Sequence, residues 1–246
     1  MDKQEFERHL NQEHRLHPFF VYIEEFVYGG TDGIVTTFAV VSGFSGANLG
    51  AETLNLSVIA VLLFGVANLL ADGAAMGLGN VLAVRSSQRL YHNVYQQELK
   101  ETKDSRDYEI AETVHLFEQE GFSLQDSQQL TQIVAKNPDF WVKFMVQREA
   151  GLEDKSNESA VKNGLATFMS FVLFGSIPLL PYFFGLSLDI SFYFSIGCTV
   201  VALVLLGWLQ SIVTKVAVLI AVFETLCVGG IAACIAYIVG VLFKVL

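Results

Sequence analysis

Charge is scarce in this chain, and positive charge is scarcer still. Its 246 residues hold 15 lysines and arginines against 25 aspartates and glutamates, 16% charged in all, for a net charge of −10. A soluble domain usually carries about a quarter charged residues. A nucleic-acid partner would call for a clustered basic surface, which this balance excludes. The three cysteines, Cys198, Cys227 and Cys234, lie inside apolar stretches without metal or redox spacing, so they read as packing residues. The N-terminal MDKQEFERHLNQEHRLHPFF has no apolar core of the signal-peptide kind. Internal repeats, low-complexity tracts and the period-2 alternation of a membrane barrel are also missing.

What the chain has instead is long apolar runs, at 33–50, 56–84, 164–184, 190–209 and 216–243. A spanning helix needs about 20 residues at 1.5 Å rise, and backbone groups in lipid must be paired within the segment, which favours helices. The expected fold is an all-α integral membrane protein with five transmembrane helices and the lipid bilayer as its first partner. Charge collects at 1–25 and 85–160. The chain therefore divides into an amphipathic N-terminal segment (1–25), spans 1 and 2 (26–84), a helical insert (85–160) and spans 3 to 5 (161–246). Lys3, Arg8 and Arg15 mark the first segment, and Arg85, Arg89, Lys100 and Lys103 open the insert, while the links near 50–56 and 182–190 have no basic residue. Positive charge marks the cytoplasmic side, so the N-terminus and insert are expected in the cytosol and the C-terminus outside.

Locally, Gly29, Gly30 and Gly33 around Asp32 are poor helix material, so the first span should start irregularly. Gly43, Gly46 and Gly50, and Gly73 and Gly77 in the second span, permit close helix approach. The second span should continue as a long helix to about Lys103. A helix over 107–120 should follow, ending at Gly121 in a left-handed cap. Ser123 caps a third helix to about Lys136, and Asn137-Pro138 opens a fourth over 139–153. Pro178 and Pro181 close the third span.

Several side chains stand out chemically. An aspartate inside a span costs about 2.5–3.5 kcal/mol, so Asp32 should face a cavity or a partner, unless it lies at the membrane edge. Asn68, Asp72, Met76 and Asn80 recur every four residues along one helix face. Amide, carboxylate and thioether donors together suit iron, manganese or cobalt better than magnesium or calcium; a methionine alone also fills gaps. In the insert, Glu98 with Glu101, Glu109 with Glu112, and Met145 with Glu149 and Glu153 each share a helix face. These groups can converge on cations or simply form a solvated acidic surface. Glu112 and His115 make one Glu-x-x-His step, where a di-iron bundle uses two. His9, Glu13 and His17 repeat at four-residue steps and either touch metal or, as the commoner fate, are ordinary surface residues. Glu224 in the last span either carries protons or reaches the interface.

Motifs in order along most of the chain give it a resemblance to a known family. Thr31-Asp32-Gly33-Ile34-Val35-Thr36-Thr37-Phe38-Ala39 with Ser42-Gly43, then Met76-Gly77-Leu78-Gly79 with Ser86-Ser87-Gln88, resemble the first and second spans of the vacuolar iron transporter family. Phe144-Met145 with Glu149 and Gly151-Leu152-Glu153 is similar to the close of its metal-binding insert, and Gly175-Ser176-Ile177-Pro178-Leu179-Leu180-Pro181-Tyr182 to its third-span ending. The resemblance implies a homodimer of five-span subunits that exports cytosolic Fe²⁺, and often Mn²⁺, against protons. It also implies that Asp32 and Met76 line the intramembrane pathway and that Glu98, Glu101, Glu109, Glu112, Met145 and Glu149 are ligands of the cytoplasmic metal-binding domain. The chain departs from the family where many plant members have a glutamate and it has Asn68; Asp72, one turn on, can replace that charge. His115 stands where an acidic residue is common, and several basic residues before the last span are absent.

The expected function is metal–proton exchange by a transporter with no enzymatic activity and no catalytic cofactor, Fe²⁺ or Mn²⁺ being bound as cargo. Short termini without a targeting segment favour a bacterial inner membrane, with the vacuolar membrane as the eukaryotic counterpart. The rival is a membrane-anchored iron oxidase or store working through the acidic insert.

Overall fold

In the computed structural model, which describes residues 22–47 and 54–245, every regular element is helical. The proposed amphipathic segment up to residue 21, with His9, Glu13 and His17, lies outside the described residues. The helices are α1 (Ile23–Ala47), α2 (Leu54–Asp104), α3 (Arg106–Gln119), α4 (Leu124–Val134), α5 (Pro138–Arg148), α6 (Ala160–Gly175), a 3₁₀ segment (Ile177–Phe184), α7 (Leu188–Thr214) and α8 (Val218–Val245). They fall into two units, one within Met1–Asn80 and Val161–Leu246, the other Val81–Ala160.

In the first unit, α2, α7 and α8 are long and apolar enough to cross a membrane. The pair of α6 and the 3₁₀ segment, bent by 41°, qualifies if it counts as one broken span. The chain is thus a multi-pass helical membrane protein. The bend follows from Pro178 and Pro181, which cannot supply the backbone N–H groups an α-helix needs there. The apolar run was expected to close at these prolines; they lie within the 3₁₀ segment, which extends to Phe184. Large apolar side chains face outward, among them Leu219 at 84% exposure and Phe184 at 76%, as a lipid-bathed surface requires. α1 is not among the qualifying helices, being rich in glycine, serine and threonine and holding Asp32.

Contrary to expectation, α1 is helical from Ile23 without a break through Gly29, Gly30 and Gly33. Tertiary contact overrides the weak local preference. A Cβ on Gly33 would run into the Phe171 carbonyl of α6, and one on Gly29 would lie 2.7 Å from the Thr167 carbonyl. At the other end of α1, a Cβ on Gly46 would lie 2.5 Å from the Tyr237 carbonyl, and one on Gly240 would strike the Gly43 carbonyl. α1 therefore lies backbone to backbone against α6 at one end and α8 at the other, the small-residue packing that membrane helices use in place of a hydrophobic drive. Gly77 of α2 likewise leaves room for the Gly164 carbonyl, at 2.8 Å from a built Cβ. Phe38, Val41, Leu69, Phe171, Leu179 and Tyr182 fill the core between these helices.

In the second unit, α2 runs on to Asp104, one residue past the expected end, and α3 to α5 pack beside it. The caps match the reading. Gly121 takes φ +97 after α3, and the Ser123 side chain accepts a hydrogen bond from the Asp126 N–H at the start of α4. Asn137 accepts one from the Phe140 N–H, with Pro138 at the first helical position of α5. α5, however, ends at Arg148 and not near 153. Glu149 is its C-cap, and Gly151 at φ +64 turns the chain away. Tyr91, Val142 and Val146 form one small core, and Trp141, Met145 and Ala135 another.

Candidate functional site

The acidic residues of the second unit come together. Glu98 and Glu101 sit on α2, Glu109 and Glu112 on α3, and Glu149 at the end of α5. Glu98 and Glu109 are 5% and 2% exposed, and each leaves one carboxylate oxygen without a hydrogen-bond partner. Burial is the first reason that both carboxyls are pushed up to about 7; the second is the surrounding carboxylates, Glu149, Glu109, Glu101 and Glu112 for Glu98, and Glu112, Glu101 and Glu149 for Glu109. Glu149 is raised in the same way, by burial and then by Glu112 and Glu101. Five carboxyl groups from three helices thus share one electrostatic neighbourhood. As the side chains stand, no three His, Cys, Asp or Glu groups among the described residues form a ready coordination shell. Glu101, for instance, accepts a hydrogen bond from Gln97 at 3.1 Å.

Met145 is fully buried beside this group. Its sulfur lies 3.2 Å from the Thr113 hydroxyl, which donates to the Glu109 carbonyl at 2.7 Å and accepts from the Trp141 indole N–H at 2.8 Å. The Arg106 guanidinium sits 5.0 Å over the Trp141 ring. Thr113 and Trp141 are the residues that sequence reading missed. Thr113 lies one turn after Glu109 on the same face, which was the available signal.

Two insert residues do not join. His115 is exposed and, among the described residues, meets only its own helix, Glu118 at 4.0 Å and Gln119 at 3.1 Å. Glu153, expected on a helix face with Met145 and Glu149, lies exposed in the coil beyond Gly151. The lone Glu-x-x-His step therefore has its histidine turned out, which removes the feature on which a di-iron oxidase rested.

In the first unit, Asp32 of α1 and Asp72 of α2 are half-buried and close enough for their charges to interact. Asn68 and Met76, one turn either side of Asp72, are half-buried too, and Met76 packs on the Phe38–Phe171 core. Asn80 donates to the Thr167 hydroxyl at 2.8 Å, so the last amide of that face ties α2 to α6. Glu224 is exposed on α8.

Two buried, mutually repelling carboxyls can hold protons or, with their neighbours, a divalent cation, which favours the ionised form. The pH dependence follows with a definite sign. Raised carboxyl values mean that stability is fully present below about 4.5 and is lost as pH rises through about 7. The burden reaches up to about 3 kcal/mol per group. Trp141 can report unfolding of this unit once Trp208, the other of the chain's two tryptophans, is replaced by phenylalanine. The midpoint should fall by several degrees between pH 5 and 8, and Glu98→Gln should remove about half of the fall. An equally steep fall in that variant would refute the assignment.

A multi-pass helical membrane protein with a carboxylate-rich helical unit is the class these features define. The chain matches the VIT family over residues 23–241. It is 30% identical over 215 residues to vacuolar iron transporter 2 of Oryza sativa subsp. japonica, covering 87% of this chain and 85% of that protein. It is 34% identical over 237 residues to the vacuolar iron transporter of Toxoplasma gondii (91% and 74%) and 30% over 215 residues to vacuolar iron transporter 1 of Arabidopsis thaliana (87% and 83%). The chain belongs to the VIT family. Its relatives are named for the vacuole and lend no support to the expected bacterial membrane.

Proposed function

We propose that this protein exports Fe²⁺, and Mn²⁺ with it, from the cytosol in exchange for protons. The observation that carries the reading is the pairing of a five-carboxylate neighbourhood in one unit with the half-buried, electrostatically coupled Asp32 and Asp72 in the other. Names of the relatives supply iron as the cargo. Glu98, Glu101, Glu109, Glu112, Glu149 and Met145 take the ion from water; hard oxygens with one soft sulfur suit iron or manganese. Asp32, Asp72, Asn68 and Met76 replace part of its hydration shell within the membrane, and Glu224 is a lesser candidate for proton traffic. Because a carboxylate binds a proton or a metal but not both at once, a proton gradient can drive release on the far side.

In this reading α1, whose 25 residues span roughly 37 Å at 1.5 Å per residue, is the first of five spans. The N-terminus and the unit Val81–Ala160 face the cytosol, two copies form the working protein, and the membrane is vacuolar in a eukaryotic host. Purified protein in liposomes, acidic inside, should accumulate Fe²⁺ and Mn²⁺ faster than Co²⁺ or Zn²⁺. Dissipating the pH gradient should cut uptake at least tenfold. Uptake indifferent to the gradient would refute exchange, and metal binding without flux would mark a sensor or store.

A further inference from the structure

Thr113 stands at a buried junction between α3 and α5. Thr113, Trp141 and Met145 are all fully buried. Three groups converge on the one Thr113 oxygen. The Trp141 indole N–H donates to it at 2.8 Å, the Glu109 carbonyl accepts from it at 2.7 Å, and the Met145 sulfur lies 3.2 Å away. An indole N–H only donates, and a hydroxyl has one proton to give. Trp141 therefore takes up a lone pair of the Thr113 oxygen, and the proton turns to the side where carbonyl and sulfur both accept. The carbonyl is the closer atom and the stronger acceptor. The hydroxyl thus holds the thioether without using up its lone pairs.

Packing alone would not aim this sulfur. Methionine has three rotatable bonds and fills irregular gaps readily. The rest of its cluster, among them Ile110, Leu116, Ala135 and Phe144, offers it apolar surface. The Thr113 hydroxyl supplies a polar contact, and it draws the sulfur to the helix that carries two of the carboxylates. Thr113 directly follows Glu112 and lies one turn after Glu109 on α3. On α5, Met145 stands one turn before Glu149, whose N–H donates to the Met145 carbonyl at 2.8 Å.

We propose that Thr113 is the positioning residue that fixes the Met145 thioether beside the carboxylates, and that it thereby sets how strongly this unit prefers softer divalent ions. The inference rests on the reading that these glutamates and Met145 take the ion from water. Carboxylate oxygens suffice for a hard ion such as Mn²⁺, whereas a thioether adds most for a soft one. Cd²⁺ is the soft probe.

Calorimetry on the intact chain in detergent gives both affinities. Partners that orient a metal ligand are commonly worth about 10- to 100-fold. Thr113→Val, close in shape but without the hydroxyl, should weaken Cd²⁺ about tenfold and Mn²⁺ by no more than about twofold. The NMR resonance of its bound Cd²⁺ should move toward that of oxygen-only sites. Thr113→Ser keeps the hydroxyl and should keep the parental ratio of affinities. Met145→Leu should lose the preference for Cd²⁺ as well, and Thr113→Val added to it should change the ratio no further. Thr113→Val strands the Trp141 N–H, which is costly. Should it not fold, Thr113→Val with Trp141→Phe removes donor and acceptor together, with the same shift expected.

Equal weakening of both ions would make Thr113 part of the scaffold only and overturn the proposal, as would a further change of ratio when Thr113→Val is added to Met145→Leu. Glu98→Gln with Glu109→Gln separates the two levels. If that variant loses both ions while Thr113→Val keeps the parental ratio, the role of Thr113 alone falls. If it binds both ions as the parent does, the carboxylate reading falls and takes this inference with it.

Discussion

Asp32→Ala is expected to lower the initial rate of gradient-driven Fe²⁺ uptake by on the order of 100-fold, to near that of protein-free liposomes. A charge in a span costs about 2.5–3.5 kcal/mol, and each 1.36 kcal/mol is tenfold in rate. A divalent ion that loses one of two electrostatically coupled carboxylates carries that penalty uncompensated. Asp32→Asn keeps size and polarity while removing the charge, and should fall nearly as far. Asp72→Asn leaves Asp32 just as Asp32→Asn leaves Asp72, and should fall by a comparable factor. Metal binding by the second unit should be untouched in all three, which separates lost passage from lost folding. If Asp32→Asn and Asp72→Asn both moved Fe²⁺ at the parental rate, the pathway would have to be drawn elsewhere.

The second large effect concerns the insert. Glu98→Gln with Glu109→Gln should weaken Mn²⁺ binding by the intact chain roughly 100-fold, since even outer-shell partners are worth 10- to 100-fold. Its signature should be protonic. With carboxyls poised at about 7, the parental protein binds Mn²⁺ at pH 6 with release of nearly two protons from this pair, and at pH 8.5 with almost none. Calorimetry in buffers of different ionisation enthalpy measures that number directly. The double variant should lose this release at pH 6; an unchanged count would show that the two glutamates are not where the ion lands.

How legible was this molecule in its sequence? Punctuation in the polar half read well, because its signals are local. Gly121, Ser123 and Asn137-Pro138 act through one or two backbone groups each, and the helices stop and start there. Acidic convergence was legible as spacing along each helix, yet which glutamates would be buried was not. Burial of Glu98 and Glu109 depends on how three helices meet, and no single stretch encodes that. Thr113 escaped notice for the same reason, since its value comes from Trp141 and Met145, both about 30 positions away. Two errors over glycine ran in opposite directions, the first span being read by glycine's weak helix propensity and the helix over 139–153 being carried through Gly151 against it. At Gly33 a neighbouring backbone makes helix the better choice, whereas at Gly151 nothing lies within 4 Å of a built Cβ and the left-handed turn prevails.

The glycine contacts of α1 bear on how any access change is made. With its backbone against α6 at Gly33 and against α8 at Gly46 and Gly240, that helix has no slack at either end. Asp32 is the residue next to the first of these contacts, so it is mounted on a fixed post. In the exchange proposed above, a change of access that keeps these contacts carries α1, α6 and α8 together, and the Asp32 carboxylate adds only the reach of its own side chain.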